Sequence, residues 1–472
     1  MLIVDGDIEG QAGVDLRLHG DRIAEVGPRL ERIPGEEVID AAGGAVIPAL
    51  HDHHVHLKAL AAARHSLRVG PGDVAGADDL TAQLRRAADT TPPGQWIRAV
   101  GYHESVAGPL DRWVLDAAIA HRPVRVQHRT GALWVLNSLA LTMVGAAEAE
   151  LTGIERDENG TPTGRLWRLD GWLARRLPPS PPDLAAVARA AAHRGIGGFT
   201  DADPSRTQSD VDLLTAAATR GDLRQRVVLM SSTGLQFDTS LFAAGPRKLL
   251  LDDVTLPPVD ELASWITAAH DDGENVAIHC VTRLQIIATL AALTDASPAA
   301  GDRIEHAGVV PTELRPGLRQ LGLTVVTQPN FIAERGDDYR RDVDDDDVPL
   351  LYPCATLQAA GVPVAAGTDA PFGDPDPWAA IGAAVRRRTR SGFELGPDER
   401  VDPETALDLF LGRPDNPGTR RRVEAGRPAD LCVLDRPVDR LHRSLATDSD
   451  DEPDFNPVTL TIVRGQVIAD NR

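Results

Sequence analysis

Cysteine and long apolar runs are scarce in this chain. Its 472 residues include three cysteines, Cys280, Cys354 and Cys432, which stand far apart. Their number and spacing exclude a disulfide scaffold and a cysteine-rich zinc knuckle, and are typical of a reducing cytosol. No apolar run approaches the length of a membrane span, and the opening MLIVDGDIEGQAG carries acids where a signal peptide has basic residues. We therefore expect a soluble cytoplasmic protein with no membrane partner.

Basic residues are outnumbered by acidic ones, 49 to 70. The formal net charge is -21 at pH 7, so the chain would repel a phosphate backbone, and we expect no nucleic-acid partner. Hydrophobic residues make up 42% of the chain, which is enough for a sizeable core. The length suits one large domain or two to three smaller ones.

Lysine is nearly absent, since Lys58 and Lys248 are the only two and almost all other basic residues are arginines. A GC-rich coding bias, which disfavours lysine codons, explains this scarcity. Under such a bias, a lysine that is kept marks a candidate position where arginine cannot replace the amine chemically.

Strand patterns occupy both ends of the chain. MLIVDGDI and VDLRLHGDRIAEVG alternate apolar and polar residues near the start, and ADLCVLD and VTLTIVRGQVIAD do so near the end. Because chain termini often lie close together, we expect both ends to form one small composite β-sandwich domain. Its predicted boundaries are residues 1–47 and 418–472.

The middle of the chain alternates short apolar runs with amphipathic stretches. Runs such as ENVAIHCV, GDRIEHAGVV and GLTVVTQPN end in polar residues, and helical patterns such as VDELASWITAAHDDG lie between them. Repeated strand-helix units favour an α/β fold with a TIM-like (β/α)8 barrel, here over residues 48–417, with a doubly wound sheet as the alternative. Residues 66–178 break the rhythm and are predicted to be an insertion after the first barrel strand.

Side chains that bind metals follow or lie in these predicted strands. His54 and His56 share one face at the end of AVIPALHDHHVH, because residues two apart on a strand point to the same side. The other candidates belong to later strands, at the barrel end where active sites lie: Lys248 in RKLLLDD, His279 in VAIHC, His306 in RIEHAG and Asp369 in VAAGTDAP. Nitrogen and carboxylate ligands of this kind suit zinc, or iron and manganese.

Each candidate also has an ordinary structural interpretation. A single histidine after a strand is usually a packed core or loop residue, Asp369 suits a turn before Pro371, and Lys248 suits a strand edge. The metal hypothesis therefore depends on the combination, in which four histidines, one lysine and one aspartate stand at successive strand ends in barrel order.

The combined motifs resemble those of the amidohydrolase superfamily of metal-dependent hydrolases, over nearly the whole chain. The matching elements are DHHVHL, VAIHC, RIEHAG, GTDAPF and the ending VEAGRPADLCVLD. Within that superfamily the chain is most similar to the N-substituted formamide deformylase-like group, amidohydrolase family 3. The phrases that carry this similarity are PGQWIRAVGYHE, WVLNSLAL, GTPTGRL, GIGGFTDAD and TQPNF.

The resemblance implies a role for each candidate ligand. His54, His56 and Asp369 would bind the more buried metal, and His279 and His306 would bind a second. The implied cofactor is therefore one or two divalent ions, with zinc expected.

The resemblance also implies a modification of Lys248. In many members of the superfamily a lysine on the fourth strand reacts with CO2, and the carbamate bridges two metals. Lys248 matches that position, whereas Lys58 falls beyond the first strand. Only an amine that deprotonates when desolvated can form a carbamate, and a guanidinium cannot.

The other residues of the histidine-rich motif receive supporting roles. His51 and His53 have the opposite parity to His54 along the strand, so we interpret both as packing or supporting groups. Asp52 shares the parity of His54, and we predict that it orients a ligand imidazole by accepting its second N–H.

The substrate pocket is expected to combine the insertion with the strand-end loops. The predicted substrate contacts are Tyr102, His103, Trp134, Gln328 and Asn330, each of which has an equally good structural interpretation. Relatives of the deformylase type commonly have a histidine in this part of the insertion, where RTGALWVLNS has Ala132. The expected partner is a small-molecule substrate, and the sequence leaves a homo-oligomer open.

The implied reaction is the hydrolysis of a non-peptide C–N bond in an amide, formamide or cyclic amide. A metal lowers the pKa of bound water towards ~7 and so supplies a metal-activated hydroxide. Asp369, the predicted catalytic residue, would accept the proton of that water and pass it to the leaving amine. Two alternatives stay open: a mononuclear deaminase-like enzyme that acts on an aminated heterocycle, and a metal-free scaffold relative without catalysis.

Overall fold

The computed structural model describes residues 1–178, 182–447 and 455–472. They form two compact units, one of Met1–Leu57 with Leu184–Arg472 and one of Lys58–Asp183. Residues 448–454 of the predicted C-terminal segment lie outside the described residues. Within the three described ranges, we find no helix with the length and apolar character needed to cross a membrane.

Strands from both ends of the chain form two four-stranded sheets in the first unit. In spatial order, one sheet contains Arg22–Pro28, Gln11–His19, Leu2–Ile8 and Val38–Asp40, and the other contains Gln466–Asp470, Val458–Val463, Leu431–Leu434 and Val46–Pro48. Buried apolar residues from both sheets pack into one cluster, which includes Ile3, Leu16, Leu431 and Ile462. Packing of this kind is expected because each sheet has one apolar face to bury.

Two parallel sheets lie between these ends of the chain. The four-stranded sheet contains, in spatial order, Phe242–Ala244, Arg226–Leu229, Ile196–Asp201 and Leu50–Val55. The five-stranded sheet contains Arg247–Leu250, Val276–Cys280, Arg303–His306, Thr324–Thr327 and Val364–Ala366. Most of these strands are buried along their whole length, as expected for parallel strands covered on both faces.

Hydrogen bonds join the two parallel sheets at both edges. The backbone N–H of Asp369 donates to the carbonyl of His54 (2.8 Å), next to the ends of the last and first strands. At the other edge, the N–H of Ser231 donates to the carbonyl of Pro246 (3.1 Å). Because the strands are parallel, their C-terminal ends lie on one side, where the polar strand-end residues can meet.

Helices alternate with the parallel strands and confirm the predicted α/β class. The α-helices of this unit are Leu184–His193, Gln208–Thr219, Val259–Asp271, Arg283–Ala296, Arg315–Gln320, Asn330–Asp342, Ala355–Ala359, Pro377–Arg386, Pro403–Asp408 and Val438–Ala446. Short 3-10 turns span Asp253–Thr255, Thr312–Leu314, Val348–Leu350 and Pro397–Glu399, and a small hairpin pairs Gly412–Arg413 with Asn416–Arg420. Local sequence sets the helix starts: Thr207 and Asp210, for example, form a capping box before the second of these helices.

The second unit is built on a six-stranded mixed sheet. In spatial order its strands are Ile154–Arg156, Pro162–Trp167, Leu133–Leu136, Val124–His128, Ile97–Tyr102 and Leu67–Arg68. Its helices are Leu57–Ala63, which begins in the first unit, and Ala77–Thr90, Glu104–Ala107, Arg112–Ala118, Ser138–Val144 and Asp170–Ala174. Two apolar clusters, one around Val126 and one around Trp134, form its core.

Asn137 is fully buried in the second unit, and both the oxygen and the nitrogen of its side-chain amide form hydrogen bonds. Its Oδ1 accepts from the backbone N–H groups of Val124 (3.1 Å) and Ala140 (3.0 Å). Its Nδ2 donates to the carbonyls of Ile119 (2.9 Å) and Arg122 (2.7 Å). One side chain therefore satisfies four backbone groups and begins the helix Ser138–Val144.

We expect Asn137→Ala to lower the free energy of unfolding by about 3 kcal/mol, because buried backbone groups lose their partners. Urea denaturation of the full chain measures this change. Asn159 is exposed and provides the matched control, since Asn159→Ala should change stability by less than about 0.5 kcal/mol. Equal stability of the two variants would contradict the role assigned to Asn137.

Candidate metal centre

The six predicted ligands lie in one cluster at the C-terminal ends of the parallel strands. The ring centroids of His54 and His56 are 5.5 Å apart, those of His54 and His306 are 4.7 Å apart, and those of His279 and His306 are 4.4 Å apart. Lys248, on the strand Arg247–Leu250, and Asp369, beyond the strand Val364–Ala366, contact the same group. His54 is fully buried, whereas His56 and His279 are partly exposed.

Three side chains present their ligand atoms to one another within 4.8 Å: His54, His56 and Asp369. Oδ1 of Asp369 lies 3.4 Å from Nε2 of His54 and 3.3 Å from Nε2 of His56. This buried oxygen accepts no hydrogen bond of ordinary geometry from the described residues. An unsatisfied buried carboxylate oxygen is costly, and a divalent cation between two imidazoles and a carboxylate would satisfy it. The donor set therefore fits a metal.

The protonation states of this group also suit a metal. Burial, aided by the nearby charge of Lys248, drives the pKa of His54 well below its ordinary value. Burial alone would raise the pKa of Asp369, but contact with His56 and the neighbouring His54 and His306 rings hold it below its ordinary value. Burial also lowers the pKa of His306. At neutral pH the imidazoles of His54 and His306 are neutral and the carboxylate of Asp369 is ionised, which are the forms that bind metals.

Lys248 is buried beside the histidines. Its side chain is on the strand Arg247–Leu250, and Nζ lies 2.8 Å from Nε2 of His54. Burial lowers the pKa of Lys248 to about 8, although the charges of Glu305 and Asp369 oppose the shift. Lys58, in contrast, is exposed on the first turn of the helix Leu57–Ala63.

Two of the predicted ligands have unusual backbone conformations. His306 has φ of 70° and Asp369 has φ of 54°, which is the left-handed region that residues other than glycine rarely adopt. Such conformations cost on the order of 1–3 kcal/mol and concentrate at functional sites. The bend at His306 lets two consecutive residues, Glu305 and His306, both reach the cluster, which a regular strand would not allow.

Glu305 supports the cluster and was missed by the sequence analysis. Nδ1–H of His54 donates to Oε2 of Glu305, and Nε–H of Arg303 donates to Oε1 of the same carboxylate. All three side chains are buried. The signal in the sequence is the pair of charges at i and i+2 in RIEHAG, since buried charges in a strand must be paired.

The predicted role of Asp52 is wrong for His54. Oδ1 of Asp52 accepts from the backbone N–H groups of Thr368 (2.9 Å) and His54 (3.2 Å), and Oδ2 accepts from the Thr368 hydroxyl (2.5 Å). The reason is a register shift: the four residues 52–55 lie opposite the three residues 199–201 of the neighbouring strand, so strict alternation does not hold. The carboxylate that orients His54 is Glu305 instead.

His51 and His53 pack against each other, in agreement with their predicted role. Their ring centroids are 4.6 Å apart, and Nε2 of His51 lies 2.9 Å from the Thr200 hydroxyl. Both side chains are buried, and burial drives the pKa of each well below its ordinary value. Both rings pack within the protein core, where neither ring nitrogen of His53 has a hydrogen-bond partner among the described residues.

Gln328 and Asn330, two of the predicted substrate contacts, are buried in the first unit. Oε1 of Gln328 accepts from Nδ1–H of His306 (2.8 Å). Nδ2 of Asn330 donates to Oε1 of Glu334 (2.9 Å) and to the Thr368 carbonyl (3.1 Å). Gln328 thus orients a candidate ligand, and contact of either residue with substrate stays a prediction.

The other three predicted substrate contacts belong to the second unit. The Tyr102 hydroxyl donates to the carbonyl of Gly108, and Nε1–H of Trp134 donates to Asp170 (2.8 Å). His103 precedes the helix Glu104–Ala107, and its Nδ1 accepts from the backbone of the next residue but one. These partners give each residue a structural role, and contact with substrate stays a prediction for all three.

We expect Glu305→Gln to weaken binding of the metal that supports activity by about 10–100-fold, because the partner that fixes the His54 imidazole becomes neutral. Titration of activity against buffered free zinc measures this affinity. Glu313 is exposed, with 72% of its side-chain surface accessible, so Glu313→Gln is the matched control with an unchanged affinity. The same zinc dependence in both variants would contradict the role given to Glu305.

Known proteins share the fold and the sequence pattern. An N-substituted formamide deformylase from Arthrobacter pascens is 27% identical over 488 aligned residues, which cover 89% of this chain and 90% of that protein. An uncharacterized metal-dependent hydrolase from Pyrococcus horikoshii OT3 has a TM-score of 0.71 at 20% identity, covering 92% of this chain and 96% of that one. Atrazine chlorohydrolase from Arthrobacter aurescens TC1, solved with zinc, has a TM-score of 0.54 at 17% identity, covering 100% and 95%.

These structural likenesses show a TIM-barrel-like α/β fold with parallel sheets. The sequence pattern of the amidohydrolase family matches residues 37–469, which is most of the chain. The match includes the histidine-rich strand Leu50–Val55 and the segment with Asp369. It also includes the strands that carry Lys248, His279 and His306. The chain belongs to the amidohydrolase family.

Proposed function

We propose that this chain is a metal-dependent hydrolase that cleaves a non-peptide C–N bond in an amide, a formamide or a cyclic amide. The observation that carries the proposal is the buried group of His54, His56 and Asp369, with Lys248 beside it. Membership of the amidohydrolase family supports the reaction class. The similarity to an N-substituted formamide deformylase makes substituted formamides the first substrates to test.

His54, His56 and Asp369 would hold one divalent ion, and His279 and His306 a second, with zinc as the proposed metal. A divalent ion bound there lowers the pKa of a water ligand and polarises the carbonyl of the scissile bond. Partly exposed His56 and His279 leave the cluster accessible from one side. The small-molecule substrate would enter from that side.

Hydrogen bonds within the chain fix the tautomers of two candidate ligands, His54 and His306. Glu305 accepts Nδ1–H of His54, and Gln328 accepts Nδ1–H of His306. Each bond fixes the tautomer in which Nε2 keeps its lone pair, so Nε2 is the atom available for binding. Nε2 of His54 therefore faces Asp369 and Lys248 as an acceptor.

Asp369 is the proposed general base and then general acid. Its carboxylate is ionised at neutral pH, and its buried Oδ1 carries no competing hydrogen bond from the described residues. The carboxylate would accept the proton of the attacking water and deliver it to the leaving amine nitrogen. The left-handed backbone at Asp369 holds the carboxylate beside the His54 and His56 nitrogens.

Lys248 is the proposed site of the CO2-derived carbamate. The neutral amine attacks the carbon of CO2, a new N–C bond forms, and one proton leaves to solvent. The product is a carboxylate at the end of a lysine side chain that already reaches His54. Arginine cannot undergo this reaction, which would explain why this chain keeps a lysine at this position.

The proposed architecture behind this site is a closed (β/α)8 barrel over residues 48–417, in which Phe242–Ala244 and Arg247–Leu250, separated by two residues, count as one interrupted strand. The hydrogen bonds that join the two parallel sheets at both edges support closure. The apolar cluster shared by the terminal sheets supports a composite β-sandwich from residues 1–47 and 418–472. Residues 66–178 would then be an insertion after the first barrel strand.

A hydrolysis screen across N-formyl, N-acyl and cyclic amides tests the function, with the zinc-loaded full chain and with His54→Ala as the control. We expect release of an amine from at least one class, and its loss in the variant. Turnover that survives His54→Ala unchanged would refute the metal mechanism. Ammonia from aminated heterocycles, with no amine from any amide, would refute amide hydrolysis and favour a deaminase.

A further inference from the structure

A second group of metal-binding side chains lies within the Lys58–Asp183 unit. One ligand atom from each of His103, Glu104 and His128 lies within 4.8 Å of the other two. Nε2 of His128 is 2.9 Å from Oε2 of Glu104, and the two imidazole centroids are 5.7 Å apart. We propose that these three residues form a divalent-metal site of the zinc type, built from residues different from those of the barrel cluster.

The sheet brings these residues together. Tyr102 ends one strand and pairs with His128, which ends the parallel neighbouring strand. The N–H of Arg129 donates to the carbonyl of Tyr102 (2.8 Å), so the pairing holds up to the strand ends. His103 and Glu104 follow directly. The ends of two paired strands, one of them closed by the buried Tyr102, therefore position the ligands, as a preorganised site requires.

Each imidazole also has a hydroxyl partner on its other nitrogen. Nδ1 of His103 lies 2.9 Å from the Ser105 hydroxyl, and Nδ1 of His128 lies 2.8 Å from the Thr130 hydroxyl. The two histidines thus share one pattern, with a hydroxyl residue two positions further on. Nδ1 of each ring also accepts the backbone N–H of that same residue (3.3 Å each), so in the neutral ring the proton lies on Nε2, and a metal that binds there displaces it. Outer partners of this kind accompany most metal-binding histidines and hold the ring in place.

The chemistry of the group selects the class of ion. Two imidazoles and one carboxylate are the ligands that zinc and similar transition metals prefer, and three protein ligands leave a fourth tetrahedral position for water. All three residues are partly exposed, so an ion can reach them from solvent. A simple ion pair between His128 and Glu104 would need only two of the three residues and would bind no metal.

Titration of the metal-free full chain with Zn2+, followed by calorimetry, tests the site through stoichiometry. We expect His128→Asn to bind one equivalent fewer than the wild type. Glu104→Gln keeps an acceptor for His128 and so protects the fold, and we expect it to weaken that same equivalent about tenfold or more. His121 is an exposed histidine of the same unit, and His121→Asn is the control that keeps the wild-type number.

The barrel ligands are unchanged in all of these proteins. If the proposed hydrolase function is wrong, the number of zinc ions bound at the other cluster changes equally in the wild type and in every variant. The difference of one equivalent between the wild type and His128→Asn would remain. Equal stoichiometry and affinity in the wild type, His128→Asn and Glu104→Gln would overturn the proposed second site. Loss of an equivalent in His121→Asn as well would also overturn it.

Discussion

Lys248→Arg is expected to lower kcat/KM at least about 100-fold, whereas Lys58→Arg should leave it close to the wild-type value. Both changes replace an amine with a guanidinium, which cannot form a carbamate, and these are the only two lysines in the chain. Nζ of Lys248 is buried 2.8 Å from a candidate metal ligand, and Lys58 is exposed. Loss of an outer partner of a metal costs about 10–100-fold, so loss of a bridging ligand should reach or exceed the upper end of that range.

Mass spectrometry of the intact proteins under non-denaturing conditions, with bicarbonate present, extends this test. The wild type and Lys58→Arg should carry an additional mass equal to one CO2, and Lys248→Arg should lack it. Lys248→Gln is a second variant that avoids burying the larger guanidinium. Full activity in both Lys248 variants would show that no carbamate is needed.

Removal of divalent metal by a chelator should reduce turnover roughly 10³-fold, and zinc should restore it. The size follows from the several kcal/mol of transition-state stabilisation that a catalytic metal supplies, at about 1.4 kcal/mol for each tenfold change in rate. His54→Ala should show the same loss without chelator and should not recover with added zinc. Steady-state kinetics with the best amide from the screen measures both effects.

His19→Ala is the matched control for this experiment, because His19 is an exposed histidine of the same unit. It should lose activity with chelator and regain it with zinc, as the wild type does. Chelator-treated wild type that is free of metal and still turns over at full rate would contradict a metal-dependent reaction.

Simple strand periodicity was enough to predict part of the site. His54 and His56 stand two apart after an apolar run, and the structure brings them together with Asp369. Periodicity failed where the backbone departs from a regular strand. The register shift after Asp52 placed that carboxylate against Thr368, and the positive φ of His306 turns its ring towards the cluster that the preceding residue, Glu305, also reaches.

The strands of the second unit were harder to predict because partly buried arginines shorten their apolar runs. Arg98 and Arg125 lie on neighbouring strands, and their guanidinium groups stand 5.4 and 4.9 Å from the centroid of the Trp134 ring. The face of an aromatic ring can stabilise a cation inside a folded protein. A prediction based on apolar residues alone does not identify such contacts. The sequence therefore predicted an insertion there but not its six-stranded sheet.

Anomalous X-ray diffraction at the zinc absorption edge, from crystals of the zinc-loaded and active protein, tests the central claim most directly. The expected result is an anomalous peak about 2.0–2.2 Å from Nε2 of His54, Nε2 of His56 and a carboxylate oxygen of Asp369. An active, zinc-loaded crystal with no anomalous peak within ligand distance of these three side chains would contradict the assignment of the metal centre.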